Sequence, residues 1–236
     1  MILGFDVISL AIDTLYAARS LAPLGPKAAS SGIFKQAAPR PWRISRHGLE
    51  GDSQGDLRHH GGPEKALHHY PRDHYAAWTR DEPSLANALA APPAFGENLS
   101  TIGVTEEGVC IGDVFVAGGA LLQVSQGRQP CWKLNVRFER SDMARRVQET
   151  GRTGWYYRVL REGVIVPGDR LECVERPRPE WPLSRLNGLL YRRTLDLDAL
   201  AAMAELRELA PSWRELAARR LERRAVEDWS ARLDGV

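Results

Sequence analysis

The chain has 236 residues, of which 43% are hydrophobic and 26% are charged, and this balance is typical of a soluble globular protein. The formal net charge of only +2 gives no global field that would favour nucleic acid, and three cysteines without paired spacing argue against a disulfide framework. The apolar N-terminal run lacks a cationic start and is too short to span a bilayer. We therefore expect a soluble protein of a reducing compartment, the cytoplasm.

The first part of the chain predicts short strands around one polar loop. Residues 1–13 form an extension to which the sequence assigns no role. Strands are predicted over 14–21, 31–36 and 42–45, because apolar runs are separated there by proline and glycine. The loop over 47–56 is too rich in glycine and polar residues for a regular element. Polar loops beside apolar strands often carry function, so this loop is a candidate part of a site.

All six histidines fall between His47 and His74, which raises the question of a metal site. Two histidines four positions apart on a helix, with an intervening glutamate, would indicate a zinc hydrolase, and that pattern is absent. The spacing from His60 to His68 matches no compact structural zinc site, so zinc is not favoured. If His68 and His69 lie on a strand, they point to opposite faces, and at most one of them can join a site.

The histidine cluster is followed by predicted elements and by a second polar loop. Gly61-Gly62-Pro63 predicts a turn before a strand over 65–70. Pro71 is expected to begin a helix that ends near residue 80, since proline is tolerated at the first helical position. A short helix is predicted over 84–91, and the glycine-containing loop over 94–100 follows it.

One cysteine lies in a loop with the features of a reactive or ligating thiol. The apolar strand predicted over 120–125 runs into this loop, which places Cys131 between Arg128 and Lys133. A thiol acts as a nucleophile or metal ligand only as thiolate, and nearby cations favour that form. The alternative is a structural cysteine, because free cysteine is among the most buried residue types.

The other two cysteines provide a contrast. Cys110 lies in the predicted strand 109–111, and Cys173 lies in the predicted strand 169–175, each with apolar neighbours. Both are expected to be buried and inert. Cys131, in contrast, is expected to be partly exposed in a basic pocket.

Many short strands at near-regular spacing predict a closed or sandwiched β structure and not βαβ units. The main interruption of this strand pattern is a helix predicted over 141–151, which has a serine near its start and a glycine at its end. The remaining predicted elements before the tail are the strand 113–117 and the hairpin 155–161 with 164–166.

The tail changes to a helical pattern after the stiff linker 176–179. Helices are predicted over 183–191, 196–209 and 211–233 from the spacing of their apolar residues. From residue 176 onward there are 12 arginines against 10 acidic residues. This near balance favours packing on the strand-rich part, or on a second subunit, over DNA binding.

Taken together, the motifs resemble those of the molybdenum cofactor sulfurase C-terminal (MOSC) domain, and specifically its YiiM-type members. The resemblance covers nearly all of the chain from about residue 14, and it depends on the ordered set because each piece alone is weak. Gly127 departs from the pattern, since a bulkier or polar residue would be unremarkable there. The matching pieces are Gly48-Leu49-Glu50-Gly51-Asp52, His60-Gly61-Gly62-Pro63, Lys65-Ala66, His69-Tyr70-Pro71, His74-Tyr75, Phe95-Gly96-Glu97-Asn98-Leu99-Ser100, Ile111-Gly112-Asp113, Gln123-Val124-Ser125-Gln126 and Pro130-Cys131-Trp132-Lys133-Leu134-Asn135.

The resemblance implies a mainly β fold with helical additions, of the α+β class. A MOSC β-barrel is expected over 14–176, followed by a three-helix bundle over 181–236. It also implies a molybdenum cofactor of the molybdopterin type, with Cys131 as the protein ligand to molybdenum. Relatives of this kind reduce N-hydroxylated compounds, including hydroxylaminopurine bases, amidoximes and hydroxylamines. Such a substrate and an electron-donor protein are therefore the expected partners, a homodimer is left open, and no membrane or nucleic acid partner is expected.

Two other functions compete with this one. The first is a non-catalytic module that carries the cofactor, or a sulfur, on Cys131 for another enzyme. The second is a nucleic-acid-binding protein that uses the helical tail.

Elementary chemistry assigns provisional roles around Cys131. A terminal phosphate needs cationic hydrogen-bond donors. Polar side chains can bond the edges of a pterin, and the alternative role for such side chains is to tie loops together. A histidine with a free pKa near neutrality is a candidate proton donor, with loop anchoring as the alternative. The candidate phosphate ligands are Arg128, Lys133, Lys65 and Arg58; the candidate pterin contacts are Asp52, Asp56, Glu97 and Asn98; Asn135, Gly61 and Gly62 complete the cofactor-binding set; and the candidate proton donor is His60 or, second, His69.

Overall fold

The computed structural model of the protein describes residues 8–55, 61–192 and 195–235. Its framework consists of short antiparallel strands, with helices inserted between them and collected at the C-terminal end. The strands are β1 Ser9–Ala11, β2 Tyr16–Ala17, β3 Ala22–Leu24, β4 Ala29–Ser31, β5 Gln36–Ala37, β6 Trp42–Ser45, β7 Gly48–Leu49, β8 Leu67–His69, β9 Val114–Ala117, β10 Ala120–Gly127, β11 Trp155–Arg161, β12 Gly163–Ile165 and β13 Arg170–Glu175. The helices are α1 Asp73–Asp81, α2 Lys133–Arg137, α3 Met143–Thr150, α4 Leu183–Tyr191, α5 Leu197–Ala204, α6 Pro211–Arg223 and α7 Ser230–Leu233.

Six strands form one curled sheet in the order β1-β13-β9-β10-β11-β8, with antiparallel neighbours throughout. Smaller sheets of two or three strands (β12-β6-β7, β2-β5 and β3-β4) extend the framework. The result is a half-barrel followed by helices, which confirms the predicted α+β class. Among the described residues, no helix is long and apolar enough to cross a membrane.

The longest strand, β10, leads directly to the candidate site. Ala120, Leu122 and Val124 alternate into the core, as the strand period requires. The pairing with β11 then shifts register, and the strand continues to Gly127, two residues beyond the predicted end at residue 125. A Cβ atom at Gly127 would lie 2.9 Å from Asn187 Oδ1, so the glycine allows a helix of the tail to pack closely against the strand.

Several predicted elements differ from the structure. Residues 9–11 of the N-terminal extension pair with β13 and so belong to the sheet. The predicted strand 109–111 makes only an isolated bridge between Cys110 and Pro182. The predicted helix 84–91 is wrong: a 3₁₀ turn at Pro83–Leu85 is followed by irregular turns.

The helical tail shares one hydrophobic core with the sheet. Leu186 and Trp213 belong to the same buried cluster as Phe115 of β9. Backbone bonds join the two parts as well, from Ile111 N to Trp181 O and from Leu183 N to Val109 O. The prediction that the tail packs on the strand-rich part is therefore confirmed.

The third tail helix is shorter than predicted. It ends at Arg223, because Arg224 adopts a left-handed conformation with φ 51°. The short helix α7 then completes the chain with Trp229 and Leu233 buried in a second hydrophobic cluster. Phe95 and Leu134 of the candidate site region lie in that cluster too, so the end of the chain packs beside the site.

Candidate functional site

A cavity forms where the polar loops meet, next to the C-terminal end of β10. The four segments predicted to converge (48–56, 58–65, 95–100 and 128–135) all contribute described residues to its wall. Six of the residues proposed from sequence line it: Cys131, Arg128, Lys133, Lys65, Asn98 and Asp52. Further lining residues that the sequence did not single out include Lys35, Gln54, His68 and Tyr156.

Cys131 lies at the wall of this cavity, in the turn between β10 and α2. Its exposed fraction is 7%, so the expectation of a partly exposed thiol is wrong. The physical reason is that α7 packs on the cysteine loop and separates it from the open surface. Trp132 N donates there to the carbonyl oxygen of Arg232 at 2.8 Å. The thiol is therefore reached from the cavity and not from the open surface.

The other cysteines are buried as expected, and neither lines the cavity. Burial raises the pKa of Cys110 to about 11 and that of Cys173 to about 12. Their thiols lie near backbone oxygens of Pro179 and Glu175, at 3.6 and 3.5 Å. These two side chains are protonated near neutral pH, which fits the predicted inert role.

The cavity has an excess of positive charge. Arg128 is 6% exposed, and its Nη1 atom has no hydrogen-bond partner among the described residues. Lys133 is buried and donates to Ser30 O at 3.1 Å, and Lys65 lines the same wall. A buried guanidinium nitrogen without a partner is costly, so its position fits a ligand that brings an anionic oxygen.

A fourth cation, Lys35, was not identified from the sequence. Burial lowers its pKa, while the ion pair with Asp52 acts in the opposite direction. Asp52 also accepts from Ala18 N at 2.8 Å and from Asn98 Nδ2 at 2.7 Å. Asn98 Oδ1 in turn accepts from His68 N at 3.0 Å. Asp52 and Asn98 thus tie three loops together at the cavity wall, which is the structural alternative considered for them.

The two adjacent histidines of β8 point to opposite faces, as predicted. His69 lies in the core, with ring nitrogens 3.0 Å from Tyr157 Oη and 2.9 Å from Thr101 Oγ1. Burial lowers the pKa of His69 to about 3. The structure does not support His69 as a proton donor in the site, because Tyr157 and Thr101 occupy its two ring nitrogens and it does not line the cavity.

His68 is the histidine that reaches the cavity. It is 4% exposed, and its Nε2 atom has no hydrogen-bond partner among the described residues. Burial first, and then the charge of Arg128, lowers its pKa well below the usual value. A neutral imidazole accepts a hydrogen bond through its unprotonated nitrogen. The Tyr156 ring lies 5.0 Å away, and burial raises the pKa of that phenol.

Glu97 lies behind the cavity and not on its wall. Its side chain is fully buried and accepts hydrogen bonds from Tyr75 Oη and from Phe95 N, the latter at 2.9 Å. Burial outweighs these bonds and raises its pKa to about 7. The structure therefore places Glu97 in the support of the 94–100 loop and not at a position that touches a ligand.

The raised pKa of Glu97 predicts a specific pH dependence of stability. Because the folded state holds this proton more tightly than the unfolded state, Glu97 makes the unfolding free energy fall as pH rises from about 4.5 to above 7. The decrease in the unfolding free energy over this pH range is at most on the order of 3 kcal/mol. We expect Glu97→Gln to remove this slope in urea unfolding series, and the exposed Glu107→Gln to retain it. Parallel wild-type and Glu97→Gln curves would contradict the assignment.

Asn135, Gly61 and Gly62 do not line the cavity among the described contacts. Asn135 Nδ2 donates to Leu233 O at 2.8 Å, and its Oδ1 accepts from Ala144 N at 2.7 Å. Both ends of this amide are used to join α2 to α3 and α7. Gly62 lines a neighbouring cavity, which shares Asp52 and Gln54 with the first. The proposed residues His60, Arg58 and Asp56 lie outside the described residues.

The donor set also limits which metal the site can hold. In the described parts of the chain, no group of three or more histidine, cysteine, aspartate or glutamate side chains is placed to hold a metal ion. Cys131 is the soft donor at the cavity, and cationic side chains outnumber the one lining carboxylate, Asp52. This arrangement fits a metal that is held mainly by an anionic organic sulfur ligand, to which the protein adds one thiolate.

Comparisons with known families agree with these features. The profile of the MOSC domain matches residues 56–172, and that of the YiiM-like, 3-alpha helix domain matches residues 181–224. Protein YiiM of Escherichia coli K12 is 41% identical over 211 residues, which cover 89% of this chain and 93% of the relative. A protein named "Reductase" from Gibberella moniliformis is 39% identical over 75% of this chain, which corresponds to 31% of that longer protein.

Solved structures show the same architecture. The crystal structure of YiiM from Escherichia coli superposes with a TM-score of 0.81 at 34% identity, covering 96% of this chain and 98% of the other. YiiM from Geobacillus stearothermophilus superposes with a TM-score of 0.73 at 32% identity, covering 90% of this chain and 99% of the other.

Proposed function

Because the chain belongs to the MOSC family and carries the YiiM-type helical domain, we propose that it is a molybdenum-cofactor-dependent reductase of N-hydroxylated compounds. The substrate classes are hydroxylaminopurine-type bases, amidoximes and hydroxylamines. The observation that carries the proposal is the cavity lined by both Cys131 and the buried Arg128, whose Nη1 atom has no hydrogen-bond partner among the described residues. The relative named "Reductase" supports the reaction type.

The described residues suggest how a molybdopterin-type cofactor would be held. Cys131 would provide the thiolate ligand, and Arg128, Lys133 and Lys65 would bind the terminal phosphate. Lys35 adds a further positive charge, although its bond to Asp52 directs it toward the loop. The cofactor, when bound, supplies the two electrons that reduction of an N–O bond requires.

The protein must position the substrate, exclude water and provide two protons. His68 is neutral, and its Nε2 atom has no partner within the described ranges, so it suits acceptance of a hydrogen bond from a substrate N–H or O–H group and not proton donation. Tyr156 keeps its phenolic proton, since burial raises its pKa. Ile33 and Phe95 add apolar wall on which the flat part of a substrate can rest.

His60 remains the candidate proton donor, and its replacement separates the two roles considered for it. If it donates a proton, His60→Ala should leave the molybdenum content unchanged and slow turnover by a factor on the order of 10²–10⁴. The measurement is the steady-state rate together with molybdenum per chain, with His47→Ala as the control variant. A parallel loss of molybdenum and of thermal stability would instead assign His60 to loop anchoring.

The main rival is a non-catalytic carrier of the cofactor, or of a sulfur, that uses the same cysteine. The two functions differ in turnover and not in binding. The proposed reductase also requires an electron-donor protein, and we propose a reducing compartment, the cytoplasm, because three cysteines without paired spacing give no disulfide framework.

The deciding experiment uses full-length protein made in a host that synthesises the cofactor. Metal and pterin analysis is followed by an assay with a reduced dye and hydroxylaminopurine. The proposal predicts bound molybdenum and dye oxidation in proportion to substrate consumed. Bound molybdenum without turnover on any of the three substrate classes would favour the carrier, and turnover without molybdenum would refute the mechanism.

A further inference from the structure

The C-terminal helix α7 contacts both peptide units that flank Cys131. The guanidinium of Arg232 donates to Pro130 O at 2.5 Å, on one side of the cysteine. The backbone carbonyl of the same residue accepts from Trp132 N at 2.8 Å, on the other side. One residue of the tail thus fixes the chain before and after the thiol.

Neighbouring contacts hold α7 against this loop. Asn135 Nδ2 donates to Leu233 O at 2.8 Å, and Lys27 Nζ donates to Gly235 O at 3.0 Å. Gly235 packs so closely on the Trp132 ring that a Cβ atom there would lie 3.0 Å from it. The end of the tail, residues 232–235, is therefore held by the cysteine loop, by α2 and by the turn between β3 and β4, and not by one hydrogen bond.

The rest of the tail supports α7 and the start of the same loop. Arg220 is buried, donates to Leu189 O and Leu190 O, and forms an ion pair with Glu227 at 2.8 Å just before α7. From the neighbouring helix, the Tyr191 hydroxyl donates to Arg128 O at 3.0 Å. The cysteine loop is consequently tied to two separate parts of the helical tail.

The guanidinium of Arg232 makes one further hydrogen bond, to Gln148 Oε1 at 2.5 Å. Gln148 lies in α3, so the same side chain joins the cysteine loop to that helix as well.

We propose that Arg232 is a positioning residue for Cys131: it fixes both flanking peptide units so that the thiol faces the cavity, and it makes the helical tail part of the site. The claim that this position suits Cys131 as a metal ligand rests on the proposed function. The claim that Arg232 fixes the cysteine loop does not. The proposal therefore has a test that needs neither molybdenum nor substrate.

The experiment measures the alkylation rate of each cysteine by mass spectrometry in full-length, cofactor-free protein. Arg232→Met should raise the rate at Cys131 about tenfold, the factor expected for loss of one hydrogen bond to a charged group. The rates at Cys110 and Cys173 should not change. Arg232→Lys keeps one donor group but not the planar pair that bonds Pro130 O and Gln148 Oε1, so the Cys131 rate should rise by a smaller factor that is still measurable. Arg145→Met, which removes only the exposed ion pair to Asp234, should match the wild type.

An unchanged Cys131 rate in Arg232→Met would overturn the proposal. So would an equal rise at all three cysteines, because that would mean general loosening of the fold. If Arg232→Met does not fold, Arg232→Lys decides, and a Cys131 rate equal to that of the wild type then rejects the proposal. Molybdenum content is measured separately, so a selective effect on Cys131 in a protein that never binds molybdenum would sustain the positioning role while refuting the proposed function.

Discussion

Replacing Cys131 with serine should abolish reduction of N-hydroxylated substrates and lower the molybdenum bound per chain. A serine hydroxyl is a poor ligand for a soft metal site and is not ionised near neutral pH. The substitution is nearly isosteric, and the residue lies at a cavity wall, so the free energy of unfolding should change little. The measurement is turnover with reduced dye and hydroxylaminopurine, paired with molybdenum analysis of the same sample.

Cys110→Ser and Cys173→Ser serve as matched controls, because both side chains are buried and lie outside the cavity. They should lower stability while leaving molybdenum per folded chain and the rate per molybdenum unchanged. Full activity of Cys131→Ser with normal molybdenum content would show that the cysteine is not the ligand.

Replacing Arg128 with methionine should weaken cofactor retention by a factor on the order of 10–10², because a hydrogen-bonded charge contributes about 1.5–3 kcal/mol. The cofactor-free protein should respond in the opposite direction and become equally or more stable, since the substitution removes a buried cation whose Nη1 atom has no partner in the described part of the chain. The two measurements are cofactor remaining after dialysis and the thermal midpoint of the cofactor-free protein.

Arg137→Met is the control for Arg128→Met. Arg137 is a partly buried arginine nearby, it lies over the Phe34 ring at 5.1 Å, and it does not line the cavity. Its replacement should leave cofactor retention unchanged. Equal retention in Arg128→Met and the wild type would show that the Arg128 guanidinium does not serve the cofactor.

Local patterns in the sequence predicted many of the elements. The strand over 155–161 has the predicted bounds, and the helix predicted over 141–151 forms as Met143–Thr150 and stops at Gly151 with φ 70°. The predicted helix 84–91 did not form, because it would bury only Leu85 and Leu89. A short helix needs an apolar face packed on the fold, whatever its intrinsic propensity.

The composition of the cavity was only partly predictable. Cys131, Arg128 and Lys133 are close in sequence, so their proximity in space follows from one loop. Lys35 reaches the cavity through its bond to Asp52, and no local motif marks it. His68 carried a usable signal, because strand alternation required one of two adjacent histidines to face away from the core.

The burial of Cys131 depends on contacts between residues that are far apart in the sequence, and local patterns do not predict such contacts. The residue that encloses its loop, Arg232, is about a hundred positions away in the chain. Charge balance and helical spacing predicted that the tail would pack on the sheet. They gave no information on which turn of the tail would meet the cysteine loop.

The most direct test of the central claim is X-ray absorption at the molybdenum edge of the loaded protein. A dithiolene provides two sulfur ligands, so Cys131 should add a third sulfur ligand in the wild type, and Cys131→Ser should lack it. The same number of sulfur ligands in both proteins would contradict it.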